Sequence, residues 1–91
     1  MQTQKYSVNQ HQISTFLAHH IGVFCIAFSH DGKILATGSL DQSAKLWDLE
    51  SGKEILTLSG HTDLIRCIAF SPDNKKIATG SNDKTAKVWD L

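Results

Sequence analysis

The sequence predicts an all-β protein made of two repeated, four-stranded antiparallel units. Three observations predict it. The chain matches itself when shifted by 42 residues. Each unit breaks into short apolar runs divided by turn residues, the pattern of strands and tight connections. No segment sustains an apolar period of about 3.6 residues, so helices are not expected.

The repeat is strong. Ala18–Leu49 lies on Gly60–Leu91 without a gap, and 18 of the 32 aligned positions are identical. Average residue usage would give roughly two matches by chance. The shared residues fall in blocks: a His, then Cys-Ile-Ala-Phe-Ser, then Ala-Thr-Gly-Ser, an Asp, Ala-Lys, and Trp-Asp-Leu.

The elements can be placed in order. After a polar, Gln-rich tail over residues 1–12, the first unit (13–49) has strands expected at Ile13–Leu17, Val23–Phe28, Lys33–Gly38 and Ser43–Asp48. The second unit (50–91) follows the Ser51-Gly52 turn with Lys53–Leu58. Ile65–Phe70 then runs into Ser71-Pro72-Asp73-Asn74, and Lys75–Gly80 into Ser81-Asn82-Asp83-Lys84, before the last strand at Thr85–Asp90. A period of about 40–45 residues with four strands per unit is the signature of β-propeller blades. Cys25-Ile26-Ala27-Phe28 points apolar side chains both ways, as a sheet covered on both faces requires.

Composition narrows the function. Lys plus Arg and Asp plus Glu number 9 each, giving zero formal net charge. That lacks the electropositive footprint of a nucleic-acid binder. There is no polybasic segment for anionic lipid either. The apolar runs are far too short for a membrane span, and the N-terminus has no signal-like apolar core. A cytoplasmic protein with no nucleic-acid and no membrane partner is expected.

The order and spacing of the shared blocks resemble the WD-repeat β-propeller family. The second unit carries Gly60-His61, Ala69-Phe70-Ser71-Pro72-Asp73, Ala78-Thr79-Gly80-Ser81, Asp83 and Val88-Trp89-Asp90. The first carries Phe28-Ser29-His30-Asp31-Gly32, Ala36-Thr37-Gly38-Ser39, Asp41 and Leu46-Trp47-Asp48. It departs from the pattern in having Ala18 before His19 and His30 in place of the turn proline. The resemblance implies one hydrogen-bonded structural tetrad per blade: His19, Thr37, Asp41 and Trp47, then His61, Thr79, Asp83 and Trp89. The chemistry fits. A carboxylate accepting from one ring nitrogen fixes the imidazole tautomer, and a hydroxyl then bridges imidazole and indole.

A His, a Thr and an Asp together can imitate a hydrolase triad. This set occurs twice at identical spacing, which a catalytic site does not do, so no catalytic residue and no enzyme activity is expected. Cys25 and Cys67 stand at equivalent positions without a Cys-x-x-Cys pair, so neither a metal nor another cofactor is expected. Trp47 and Trp89 read as core, and Lys75-Lys76 as a solvated edge.

The resemblance further implies a partner-binding face with three positions per blade. These are Gly22, Phe24 and Leu40 in the first unit, and Leu64, Arg66 and Asn82 in the second. They differ between units inside a nearly identical frame, as recognition positions on a rigid scaffold would. The expected function is a non-catalytic protein-protein interaction scaffold. The alternative is a ligand-binding or enzymatic propeller with its site in the central channel or in missing blades. The chain opens on an outer-type strand and stops at the third strand of its last blade. It is expected either to be a propeller fragment or to close a ring as a homo-oligomer, a trimer or tetramer. Its protein partner is otherwise unspecified.

Overall fold

In the computed structural model, which describes residue 15 and residues 17–91, seven strands form two antiparallel sheets. The first sheet has the order β1 (Val23–Phe28), β2 (Ile34–Ser39), β3 (Ala44–Asp48), β4 (Glu54–Leu58). The second has β5 (Ile65–Phe70), β6 (Lys76–Ser81), β7 (Ala86–Asp90). There is no helix among the described residues. Residues 13, 14 and 16 of the strand expected over 13–17 lie outside the described residues. The other seven strands lie where the repeat puts them, within a residue at each end.

Sequence unit and sheet are offset. β4 opens the second unit in sequence but pairs with β3 and forms the outer edge of the first sheet. The strands are short because each turn is specified chemically. Ser29 Oγ donates to Asp31 Oδ1 (2.6 Å), and the Lys33 amide donates to the same oxygen (3.0 Å). Ser71, Asp73 and Lys75 repeat this at 2.7 and 3.0 Å. Each is a local side-chain turn that competes with strand continuation. Gly32 at φ 74° and Asn74 at φ 62° fill the left-handed position that closes these turns. Asn tolerates that conformation better than most residues with a Cβ.

The core lies between the two blades. β5 packs on β1 and β2. Ile68, Phe70 and Ile77 of the second blade pack with Ala36, Ala44, Leu46 and Leu58 of the first, and Cys25, Ala27, Ile34 and Leu56 flank them. Full burial of a large aliphatic or aromatic side chain is worth about 1.5–3 kcal/mol. Large side chains of the second sheet sit among alanines and leucines of the first. At the lower end a polar clamp crosses the joint. The His30 amide donates to Asn74 Oδ1 at 2.9 Å, and His30 Nε2 lies 3.4 Å from the Phe70 carbonyl.

Candidate partner-binding surface

Two hydrogen-bonded chains of side chains lie inside the blades. In the first, His19 Nδ1 is 2.8 Å from Asp41 Oδ2, and His19 Nε2 is 2.9 Å from Thr37 Oγ1. Trp47 Nε1 donates to the same hydroxyl at 3.0 Å. The second chain repeats these contacts through His61, Asp83, Thr79 and Trp89 at 2.8, 2.7 and 2.9 Å. The bonding assigns the tautomer. The ionised carboxylate can only accept, so Nδ1 carries the proton and Nε2 accepts from the threonine hydroxyl.

Both aspartates stay ionised despite partial burial. Burial opposes ionisation of Asp41, but the Ser43 hydroxyl and amide and the His19 ring outweigh it and hold the carboxyl at about 2. The Thr85 hydroxyl, against the effect of burial, joins the His61 ring and the Thr62 and Thr85 amides in holding Asp83 well below the usual carboxylate range. The hydroxyls of Thr37 and Thr79 are buried, at 3% and 1% exposure, and each is already shared by an imidazole and an indole. A nucleophile must reach its substrate, and these do not. Among the described residues no His, Cys, Asp or Glu cluster has the makings of a metal site.

Each tetrad turn supports a second feature at the upper end of the blade. β1 and β2 shift register between Val23 and Cys25, so Phe24 sits on a β-bulge. β5 and β6 shift identically between Ile65 and Cys67, which puts Arg66 on the equivalent bulge. A bulge turns its extra side chain out of the strand's alternation. The guanidinium of Arg66 lies over the Phe24 ring, 5.4 Å from its centroid, across the joint between blades. Arg66 Nη1 also donates to Asn82 Oδ1 at 3.0 Å. The Leu40 amide donates to the Gly22 carbonyl at 3.1 Å, and the Asn82 amide to the Leu64 carbonyl at 3.1 Å. These bonds bring the six positions singled out from the sequence to one end of the molecule, where Phe24, Arg66, Leu40, Asn82 and Gly22 are exposed and Leu64 is half-buried.

A family model described as WD domain, G-beta repeat matches residues 10–48 and 52–90. The chain belongs to the WD-repeat family. The crystal structure of RRP9 WD40 repeats superposes with a TM-score of 0.76 at 33% identity, covering 80% of this chain and 22% of that one. Eukaryotic translation initiation factor 3 subunit I of Homo sapiens is 42% identical over 53 residues, which are 58% of this chain and 16% of that protein. A probable E3 ubiquitin ligase complex SCF subunit, sconB of Arthroderma benhamiae, is 56% identical over 43 residues, 47% of this chain and 6% of that protein. The chain thus spans less than a fifth of the length of these curated relatives. WD repeats generally mediate contacts between proteins and are typically not catalytic.

Reading the sequence missed the residues that tie each WD tetrad to its bulge. Ser39 Oγ donates to the Gly22 carbonyl at 2.9 Å and accepts from the Asp41 amide at 2.9 Å; Ser81 does the same between Leu64 and Asp83 at 2.8 and 3.0 Å. Ser43 and Thr85 each donate to the tetrad aspartate, at 2.7 and 2.6 Å. The signal was present. Ser39 and Ser81 are identical in the repeat, and position 43/85 keeps a hydroxyl while the side chain changes.

Proposed function

We propose that this WD-repeat chain is a non-catalytic scaffold that binds a protein partner through the end carrying Phe24, Arg66, Leu40, Asn82, Gly22 and Leu64. The observation that carries the reading is the stack of Arg66 on Phe24, which fuses recognition positions of two blades into one patch. Arg66 spends one donor on Asn82 and keeps others for a ligand. A planar cation resting on an aromatic ring suits a partner segment that offers a carboxylate beside an apolar side chain. Arg and aromatic residues are frequent anchors of interfaces. Two relatives are named as subunits of a translation initiation factor and of a ubiquitin ligase complex, which supports assembly into a larger complex and residence in the cytoplasm.

The test is differential capture. Wild type and the Phe24→Ala/Arg66→Ala double variant are used as baits, with circular dichroism as the control for folding. A partner retained by wild type and lost by the double variant supports the reading. Equal retention by both places recognition elsewhere.

A further inference from the structure

The joint between the blades is a template for a second joint. On the first blade it uses mainly small residues, Cys25, Ala27, Ala36 and Ala44, with Leu46 and, from β4, Leu58. On the second it uses large ones: Ile65, Ile68, Phe70 and Ile77, all at 9% exposure or less. Each blade carries both kinds of face, because the sequence repeats. The residues 42 positions before Ile65, Ile68 and Phe70 are Val23, Ile26 and Phe28, at 47%, 58% and 61% exposure. The residues 42 positions after Cys25, Ala27, Ala36, Ala44 and Leu46 are Cys67, Ala69, Ala78, Ala86 and Val88, all exposed.

The holes match the knobs. On the first blade, Ile65 fills the space around Cys25 and Gly38, its Cγ2 only 2.6 Å from where a Cβ on Gly38 would lie. On the second, the equivalent space beside Cys67, Gly80 and Ala86 is an open hollow of about 190 Å³. A neighbouring hollow of about 200 Å³ lies over Ala69, Ala78 and Val88, where the counterpart on the first blade meets the other blade's large side chains. The molecule therefore bears knobs on one flank and holes on the other. With zero formal net charge, no overall repulsion keeps two copies apart.

We propose that a second copy of this chain docks head to tail, seating Val23, Ile26 and Phe28 in the bare flank of β5, β6 and β7. The contact is heterologous, so each docked copy offers the same flank to the next, and the assembly grows beyond a dimer. It is also weaker than the internal joint. The clamp there joins the His30 amide to Asn74. Between copies those places hold Pro72, which has no amide proton, and Gly32, which has no side chain. Association is therefore reversible while the internal joint holds.

Mass is measured by sedimentation and light scattering across a range of concentration, on wild type and on Phe28→Glu and Val88→Glu. Both substituted residues are more than 60% exposed, so the single chain keeps its fold. Wild type gains mass with concentration, and each variant alone stays monomeric. An equimolar mixture of the two forms a dimer and goes no further, because one variant keeps its holes and the other its knobs. Cys67 reacts slowly with a thiol reagent in the assembled wild type and fast in either variant alone. Installing the clamp with Gly32→Asn and Pro72→His tightens association roughly tenfold, as two added hydrogen bonds would. Aggregation of wild type that both variants suppress also supports the proposal. Monomeric wild type at every concentration, a mixture that stays monomeric, or aggregation that neither variant suppresses overturns it.

Discussion

Ile65 stands where a side chain on Gly38 would have to go. Its Cγ2 and Cβ lie 2.6 and 3.0 Å from an ideal Cβ at that glycine, and Cys25 Sγ lies at 2.7 Å. Gly80, the repeat equivalent, meets only Cys67 Sγ, also at 2.7 Å. The two glycines thus share the contact within a blade and differ only in the contact between blades.

Gly38→Ala is expected to destabilise the chain more than Gly80→Ala. Wedging a methyl group into a packed joint costs about 1–3 kcal/mol, and Gly80→Ala is spared the part due to Ile65. Denaturant midpoints of the two variants, taken on monomer, measure the difference. Equal losses would mean that the blades do not pack as described.

Removing the carboxylate of a tetrad is the second test. Asp83 accepts from His61, from the amides of Thr62 and Thr85 and from the Thr85 hydroxyl. Asp83→Ala leaves a buried imidazole donor unsatisfied, at a cost of about 1–3 kcal/mol. The melting temperature is expected to fall, and an unchanged melt contradicts a structural role for the tetrad.

Acid should undo the same contacts. Asp41 is depressed from an ordinary 3.8 to about 2. A carboxyl lowered on folding adds stability above its unfolded value, and that stability drains away as pH falls through the folded value. The contribution of Asp41 is whole about one pH unit above 3.8, and most of it drains away as pH falls from there to about 2. Asp83 acts in the same direction. Stability measured from pH 5 to pH 2 should fall more steeply for wild type than for Asp41→Asn, which keeps an acceptor for His19 but has no proton to take up. Parallel curves would remove Asp41 from the acid response.

The tetrad turns also carry backbone strain. Gln42 and Lys84, equivalent in the repeat, sit at φ 77° and 75°. The left-handed conformation disfavours a residue with a Cβ by about 1–2 kcal/mol, part of which glycine returns through chain entropy. Lys84→Gly is expected to raise stability by about 0.5 kcal/mol, and Lys84→Val to lower it. Thermal melts of the two variants, read for opposite signs, decide the point.

The strands and the tetrads were legible because their determinants are local and repeated. An Ser-x-Asp turn or a Trp-Asp block means the same thing in either unit. The surroundings were not legible. Ile26 and Ile68 are the same residue in the same motif, yet one is 58% exposed and the other 9%. What separates them is which blade lies alongside, and no local pattern records that. The clamp between His30 and Asn74 was hidden for the same reason, since each residue departs from its repeat counterpart and only the joint shows why. Phe24 and Arg66 stood out by their divergence, but the bulges beneath them and the stack between them needed the register of β1 and β5.

The bulge has a consequence for how such surfaces diversify. Because the outward side chain of the second blade leans on that of the first, this surface patch is spelled by two repeats and owned by neither. Exchanging one repeat rewrites the patch it shares with its neighbour, while the β-bulges that present it belong to each blade's own ladder. Phe24 beside Arg66 is one two-letter word in that scheme. Shuffling or duplicating blades therefore composes new words from old letters, with no new fold to be found.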